Sequence, residues 1–267
     1  MRTPLFAAAL LALAGAAQAQ AQAPAPAAIP SPAAGDWRPL DPANTLVVDT
    51  GKGRYFVEMR PDIAPLHVAR MKALTRQGYY NGVQFYRVIK GFMAQTGRRL
   101  APTMPNLKDE FTFALSPAMP FAAGGPEGQG FIGATPVQID PATGRGFALF
   151  CPGTASTAHG DPPNTGNDQV FFMRGRGGPT IESHFTAWGR VVQGQEVIEA
   201  IQDGQPPPTP DRIARMRVLA DIPAAERPKV QVMDTRGPAF AALVAEAQKA
   251  KAPYFSLCDV TVPTKEG

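Results

Sequence analysis

Short runs of alternating or clustered apolar residues recur through the middle of the chain, a pattern typical of β-strands. Apolar residues at helical spacing occur in two places, 61–77 and 194–203, and predict two helices. Many strands with two helices favour a mainly β fold, a closed barrel with helices at its ends. The predicted strands lie at 46–50, 54–59, 146–150, 169–173, 185–192 and 212–220, with a further strand pair within 85–97.

Three stretches lie outside this pattern and set the predicted domain boundaries. Residues 22–43 are rich in Ala and Pro and predict a flexible linker, followed by a main domain over 44–221. Residues 117–146 are rich in Pro, Gly and Ala with little periodicity, which predicts a long loop or insertion. Residues 222–267 form a C-terminal extension, in which the pattern predicts one short strand and a helix over 238–251.

The first 21 residues have the organisation of a secretory signal peptide. Arg2 supplies a positive charge, residues 5–16 form an apolar run, and the small residues within 17–21 match two overlapping cleavage patterns. The apolar run is too short to span a bilayer, and no later stretch is long and apolar enough to do so. The sequence therefore predicts an exported protein, periplasmic or secreted, whose mature form has no membrane span.

Composition narrows the classes of partner and cofactor. The chain has 267 residues with a formal net charge of +4, and its Lys and Arg residues are scattered, so no nucleic-acid surface is predicted. The two cysteines and three histidines lack the spacing of metal ligands, and neither a metal nor another cofactor is predicted. In an oxidising compartment Cys151 and Cys258 either pair, joining the extension to the main domain, or remain two buried thiols.

The segment from Phe85 to Gly97 is the most informative part of the chain. It predicts two strands around a glycine-containing loop, and it places the cation of Arg87 and the amide of Gln95 among large apolar side chains. A cation has little reason to lie in such a run unless something outside the fold pairs with it. On a regular strand Phe85, Arg87 and Ile89 point the same way.

A second apolar strand adds Gln169 and Phe171 on one face. Together the segments predict an apolar patch with one guanidinium and two amides, and they contain no nucleophile–base pair, carboxylate pair or phosphate loop. Such a patch suits a proline ring and its amide, whose isomerisation breaks no covalent bond and has a resonance barrier of about 18–20 kcal/mol. A hydrogen bond from Arg87 to the pyramidal prolyl nitrogen lowers that barrier. The plainer interpretation is that Arg87 reaches water from a strand edge and the apolar residues are core.

The two segments resemble the two signatures of the cyclophilins, a family of peptidyl-prolyl cis/trans isomerases. Phe85-x-Arg87-Val88-Ile89-x-Gly91-Phe92-Met93-x-Gln95-x-Gly97 is similar to the first signature, and residues 153–172 are similar to the second. The resemblance covers 44–221 and implies a closed eight-stranded antiparallel barrel capped by two helices, with Arg87 as the catalytic residue on its outer face. The substrate-binding residues that it implies are Phe92, Met93, Gln95, Ala158, His159, Gln169, Phe171, Ile181 and Phe185.

The resemblance implies an isomerase that acts on Xaa-Pro bonds of unfolded or flexible polypeptides. With the predicted signal peptide, it implies an enzyme that assists the folding of exported proteins. Thr157 and His159 depart from the family pattern. These departures leave a second hypothesis, a module that binds proline-containing segments without catalysis. A third hypothesis is a scaffold in the cell envelope that docks through the helix of the extension.

Overall fold

The computed structural model describes residues 32–98 and 104–267, and the predicted signal peptide at 1–21 lies outside them. The strands are β1 (Trp37–Pro39), β2 (Thr45–Thr50), β3 (Gly53–Met59), β4 (Phe85–Ile89), β5 (Met93–Thr96), β6 (Phe113–Ala114), β7 (Phe121–Ala123), β8 (Gln129–Ile132), β9 (Thr135–Ile139), β10 (Arg145–Ala148), β11 (Thr154–Thr157), β12 (Val170–Met173), β13 (Thr186–Gln193), β14 (Ile213–Val218), β15 (Val230–Met233) and β16 (Thr264–Glu266). The helices are α1 (Pro65–Arg76), α2 (Gln195–Glu199) and α3 (Pro238–Lys251).

Eight antiparallel strands form the main sheet, in the order β14-β2-β3-β13-β11-β12-β5-β4. One face of this sheet packs against helices α1 and α2 through a continuous set of apolar side chains, called here the inner core. Leu46, Tyr55, Phe172 and Trp188 are fully buried in it. The mainly β character predicted from the sequence is confirmed, and the outer face of the same sheet is free to carry other layers.

The main sheet is an open half-barrel that curves through 240°, so the prediction of a closed eight-stranded barrel was wrong. Its edge strands β4 and β14 meet through an isolated bridge between Gln84 and Arg212 rather than along a ladder. The chain that leads into β14 contains prolines at 206–208 and at 210. Because proline has no backbone N–H to donate, a continuous ladder cannot extend through this segment.

Helix α1 begins at Pro65, a position where the missing N–H does no harm because first-turn donors have no partner within the helix. The Glu110 carboxylate accepts the N–H groups of Leu66 and His67, each at 3.0 Å, and hydrogen-bonds His67 Nδ1 at 2.8 Å. Burial raises the pKa of Glu110, but these hydrogen bonds outweigh burial and hold its pKa below the usual range. A carboxylate from a distant segment therefore caps the helix.

A second sheet has five antiparallel strands in the order β6-β10-β9-β8-β7, and β7, β8, β9 and the start of β10 lie in the segment 117–146, where the sequence predicted a long loop or insertion. Its strands are two to five residues long. Gly133 turns the chain between β8 and β9 with a φ of 58°, and a Cβ there would lie 2.2 Å from Arg60. Strands this short, bounded by Pro and Gly, show too few alternations to be recognised in the sequence.

The C-terminal extension packs on the outer face of β2 and β3. Its strand β15 lies between β16 and β1, and Val232 pairs with Arg38 of β1. Residues 34–39 and 42–44 carry regular structure at the end of the stretch 22–43 that the sequence predicted to be a flexible linker, and residues 22–31 of that stretch lie outside the described residues. The prediction failed here because the partner of β1 lies near the other end of the chain, which leaves no local pattern.

Cys151 and Cys258 form a disulfide with their Cα atoms 4.9 Å apart, one of the two states that the sequence left open. A second apolar cluster between the main sheet and the extension includes Val47, Phe56 and Phe240, and is called here the extension core. The extension is thus attached both covalently and by buried apolar area. Over residues 32–98 and 104–267, no helix combines the length and apolar character needed to cross a membrane.

Candidate active site

Arg87 lies on β4 opposite Gln95 of β5, half-buried. Its Nε donates to Gln205 Oε1 at 3.1 Å and its Nη1 donates to Gln95 Oε1 at 3.3 Å. Nη1 also lies 4.0 Å from Met93 Sδ. Because these partners are neutral, they orient the guanidinium without neutralising its charge.

A β-bulge in β4 decides which of its side chains reach the outer face. The register of β4 against β5 shifts between Phe85 and Arg87. Phe85 and Val88 lie in the inner core, whereas Tyr86 and Arg87 lie outside it, half-buried. The prediction that Phe85 and Arg87 share a face was wrong, because regular alternation does not hold across an extra residue. The bulge adds Tyr86 to the site, a residue that the sequence reasoning missed.

Hydrogen bonds join Gln95, Tyr86 and Gln169 in that order, and each residue donates to the next. The Tyr86 hydroxyl accepts from Gln95 Nε2 and donates its proton to Gln169 Oε1. Gln95 Oε1 is already the acceptor for Arg87, so the orientation of its amide is fixed. The chain of hydrogen bonds therefore runs from Arg87 to Gln169 and leaves the Gln169 Nε2 group directed away from Tyr86.

Beside Arg87, the outer face of β5 and β12 carries an apolar cluster separate from the inner core, called here the outer cluster. Strand register explains it: Met93 pairs with Met173 and Gln95 with Phe171, while the alternate residues Ala94 and Phe172 belong to the inner core. Its buried members are Met93, Ala148, Phe150, Phe171, Met173 and Ala187, and its partly buried members are Phe92, Ala158, Ile181 and Phe185.

The outer cluster contains every apolar side chain that the sequence placed in the site, and it also contains side chains that the sequence missed. Phe150 lies 6.2 Å from Phe171 between ring centroids, and Phe185 meets Phe171 edge-to-face at 5.6 Å. Phe150 alternates with Leu149, which faces the extension core. That alternation was visible in the predicted strand at 146–150, but no motif linked it to the site. The missed members are Ala148, Phe150, Met173 and Ala187.

His159 lies at the edge of the outer cluster. Its ring centroid is 4.4 Å from that of Phe185, and its Nδ1 and Nε2 lie 2.6 and 2.7 Å from the backbone carbonyl oxygens of Gly160 and His184. Backbone carbonyl oxygens therefore lie against both ring nitrogens, and the ring forms one wall of the site. It borders a cavity of about 430 Å³ whose lining also includes Gln95, Ala158, Asn167, Asp168 and Gln169.

The site thus offers one fixed cation, oriented amides and a floor of aromatic and methionine side chains. Such a floor accepts a small apolar ring, and the rim donates hydrogen bonds to the polar atoms beside it. In the part of the chain that the structure describes, no group of three or more His, Cys, Asp or Glu residues is placed to hold a metal ion.

Comparisons with known proteins agree with this geometry. The family model for cyclophilin type peptidyl-prolyl cis-trans isomerases matches residues 45–218. A probable peptidyl-prolyl cis-trans isomerase of Brucella suis is 34% identical over 186 residues, which cover 68% of this chain and 85% of that protein. A putative peptidyl-prolyl cis-trans isomerase of Staphylococcus saprophyticus is 28% identical over 169 residues, covering 58% of this chain and 79% of that protein.

Among solved structures, the crystal structure of the cyclophilin AquaCyp293 from Hirschia baltica superimposes with a TM-score of 0.78 at 28% identity. The superposition covers 86% of this chain and 93% of that chain, a larger share than the family model matches. The similarity in fold therefore extends beyond the main domain. On the match of the family model and the identity to the Brucella protein, this chain belongs to the cyclophilin-type peptidyl-prolyl cis-trans isomerases.

Proposed function

We propose that Arg87 is the catalytic residue of this isomerase and that the outer cluster holds the proline ring of the substrate. The observation that carries the proposal is the position of the guanidinium. It lies at the rim of the outer cluster, oriented by Gln95 and Gln205 and next to Met93. A donor at the rim meets the amide nitrogen of a proline whose ring lies on the floor.

The chemistry follows from the barrier to rotation. A planar Xaa-Pro amide resists twisting by about 18–20 kcal/mol because rotation removes its resonance. In the twisted state the prolyl nitrogen is pyramidal and carries a lone pair that accepts a hydrogen bond from Arg87. One well-placed donor in a partly dry site contributes about 3–4 kcal/mol, or two to three powers of ten in rate. No group acts as acid, base or nucleophile, because no covalent bond changes.

The other site residues hold the substrate. Phe92, Met93, Phe171, Ile181 and Phe185 contact the pyrrolidine ring, and Ala158 and His159 line the adjoining cavity. Gln169, fixed by Tyr86, presents its Nε2 to a backbone carbonyl of the peptide. Amide donors and an apolar floor recognise an Xaa-Pro unit without reading a long sequence, which suits an enzyme with many substrates.

An isomerisation assay on an Xaa-Pro peptide tests the assignment of Arg87. We expect Arg87→Ala to lower kcat/KM by about 100- to 1000-fold, the loss of one such donor. Arg215→Ala, at an exposed position of β14, is the matched control and keeps full activity. Retained activity in Arg87→Ala would overturn the role of Arg87. Negligible acceleration by the unsubstituted protein would instead favour a module that binds proline segments without catalysis.

The clients are unfolded or flexible polypeptides outside the cytoplasm, in a periplasm or the medium. Two features support this: the signal-peptide pattern of residues 1–21, and the Cys151–Cys258 disulfide, a bond that persists in oxidising compartments. Cell fractionation with N-terminal sequencing tests it. We expect a chain lacking the first 19 to 21 residues outside the cytoplasm. An uncleaved chain in the cytoplasm would refute export.

A further inference from the structure

Arg190 of β13 is a buried cation without a partner among the described residues. It is 6% exposed, and its Nη1 has no hydrogen-bond partner there. Burial lowers the pKa of Arg190 to about 10, so the guanidinium keeps its charge at neutral pH. A buried charge destabilises the fold unless an opposite charge and hydrogen bonds compensate it.

Among the described residues, no carboxylate forms an ion pair with Arg190. Glu58 lies opposite Arg190 in the sheet register, but its carboxylate pairs with Arg38 at 2.7 Å and accepts the Ala134 N–H at 3.1 Å. The two segments outside the described residues, 1–31 and 99–103, contain neither Asp nor Glu. A counter-charge for this guanidinium must therefore come from solution.

A small cavity lies where that counter-charge is needed. Its volume is about 90 Å³, enough for a few water molecules or a small ion. Gln195 reaches it from the start of α2, with its Nε2 held by the Met173 carbonyl at 3.1 Å. The lining comes from the main sheet and from the extension: Ala134, Pro152, Arg190, Gln195, Thr261 and Val262. The extension lies over β13 and forms one wall of the cavity.

We propose that this cavity binds a small inorganic anion of the size of chloride, held by the Arg190 guanidinium between β13 and the extension. Water in the cavity supplies hydrogen bonds but not the missing charge. An anion supplies both, and the low dielectric of the surrounding apolar groups strengthens its attraction to Arg190. Because residues of the extension form one wall, binding also stabilises the docked extension. The cavity lies outside the outer cluster, so isomerase activity does not require it.

Thermal unfolding in sodium chloride and in sodium gluconate at equal ionic strength tests the proposal, because gluconate is a much larger anion than chloride. At chloride about five times its Kd, we expect Tm to be about 2–4 °C higher than in gluconate. Arg190→Met loses this difference and Arg190→Lys retains part of it. Arg215→Met, which removes an exposed arginine from β14, keeps the full difference. Equal Tm values in the two salts, or an unchanged difference in Arg190→Met, would overturn the proposal.

A second measurement decides the matter even if the Arg190 variants do not fold. Crystals of the unsubstituted protein grown in bromide in place of chloride give an anomalous signal wherever a halide is bound. We expect a peak within hydrogen-bond distance of the Arg190 guanidinium. Ordered water at that place, with no anomalous peak, would show that the cavity holds solvent only and would refute the anion site.

Discussion

The inner and outer faces of the main sheet are both apolar, but they are covered differently. Helices α1 and α2 cover the inner face together with side chains of the second sheet, and Phe172 and Trp188 are fully buried there. On the outer face, the extension covers Val47 and Phe56 of β2 and β3. Farther along the same face no part of the described extension covers the outer cluster, which combines buried members such as Phe171 with half-buried ones such as Phe92 and Phe185, and Arg87 lies at its rim.

The comparison shows how one pleated sheet carries a sealed core on one face and a partly uncovered apolar surface on the other. Side chains one residue apart on β12 point to opposite faces, so Phe171 and Phe172 have nearly the same sequence context and opposite environments. What separates a core from a binding floor is the layer placed above it. Where the extension covers the outer face, the apolar area adds stability, and where it stops, the same kind of area remains available to a ligand.

The largest expected effect comes from truncating Phe172 and Phe171 in separate variants. We expect Phe172→Ala to lower the free energy of unfolding by about 3–5 kcal/mol, the usual loss for a buried Phe, with kcat/KM per folded molecule unchanged. Phe171→Ala loses less stability and lowers kcat/KM, because it removes the proposed floor. Urea unfolding and the peptide assay measure both quantities. Equal destabilisation with unchanged activity in Phe171→Ala would make the outer cluster ordinary core.

Removing the disulfide that attaches the extension to the main domain tests whether this attachment serves stability alone. The disulfide between Cys151 and Cys258 spans 107 residues of sequence. We expect the double variant Cys151→Ser, Cys258→Ser to lose about 2–4 kcal/mol of stability, since its unfolded chain is no longer constrained. The isomerase rate of the folded protein stays the same, because Arg87 and Phe171 lie elsewhere on the sheet. A large fall in kcat/KM with the fold intact would tie the extension to catalysis.

Tyr86→Phe tests whether the hydrogen bonds at the rim of the outer cluster position the substrate. Loss of the hydroxyl leaves Gln95 Nε2 and Gln169 Oε1 joined only by their direct hydrogen bond of 3.3 Å, so the Gln169 amide is held less firmly. At about 1 kcal/mol per hydrogen bond, we expect kcat/KM to fall about five- to tenfold, mainly through KM. Tyr254→Phe, at a residue that is 88% exposed, is the matched control. Wild-type KM in Tyr86→Phe would remove Tyr86 from substrate positioning.

The smallest expected effect concerns the cover of the inner face. The pKa of Glu110 is lowered on folding, so its interactions with helix α1 stabilise the fold above the pKa of the unfolded state. This contribution is lost as pH falls through the folded pKa. We expect stability below pH 4.5 to decline more steeply in the unsubstituted protein than in Glu110→Gln, which has no such proton to bind. Parallel curves from urea unfolding between pH 7 and pH 3 would contradict this.

Local patterns were sufficient to predict the parts of the site that lie on regular strands. Met93 and Gln95 on β5, and Gln169 and Phe171 at β12, alternate as the sequence indicates, and the structure brings them together. Helix α1 likewise begins near the predicted place, because Pro65 and the apolar face that follows are local signals.

The errors arise where distant segments decide the structure. Alternation alone could not reveal the bulge that turns Tyr86 outward, because β5 imposes it on β4. The second sheet and β1 depend on pairing between short segments, and the sequence of each carries little strand signal. The prolines at 206–208 and 210 indicate a break in strand pairing next to β14, whereas the family resemblance implied a closed barrel. Cysteine count allowed the disulfide without requiring it.

The pairing of β1 with β15 has a consequence for the order in which the chain is made. Trp37–Pro39 leaves the ribosome before any of the main sheet, while Gln231–Met233 follows after all of it. Until then, no residues of the extension cover Val47 and Phe56, and a nascent or truncated chain exposes an apolar surface that is prone to aggregation. This isomerase therefore passes through a stage in which its own apolar surface is unprotected.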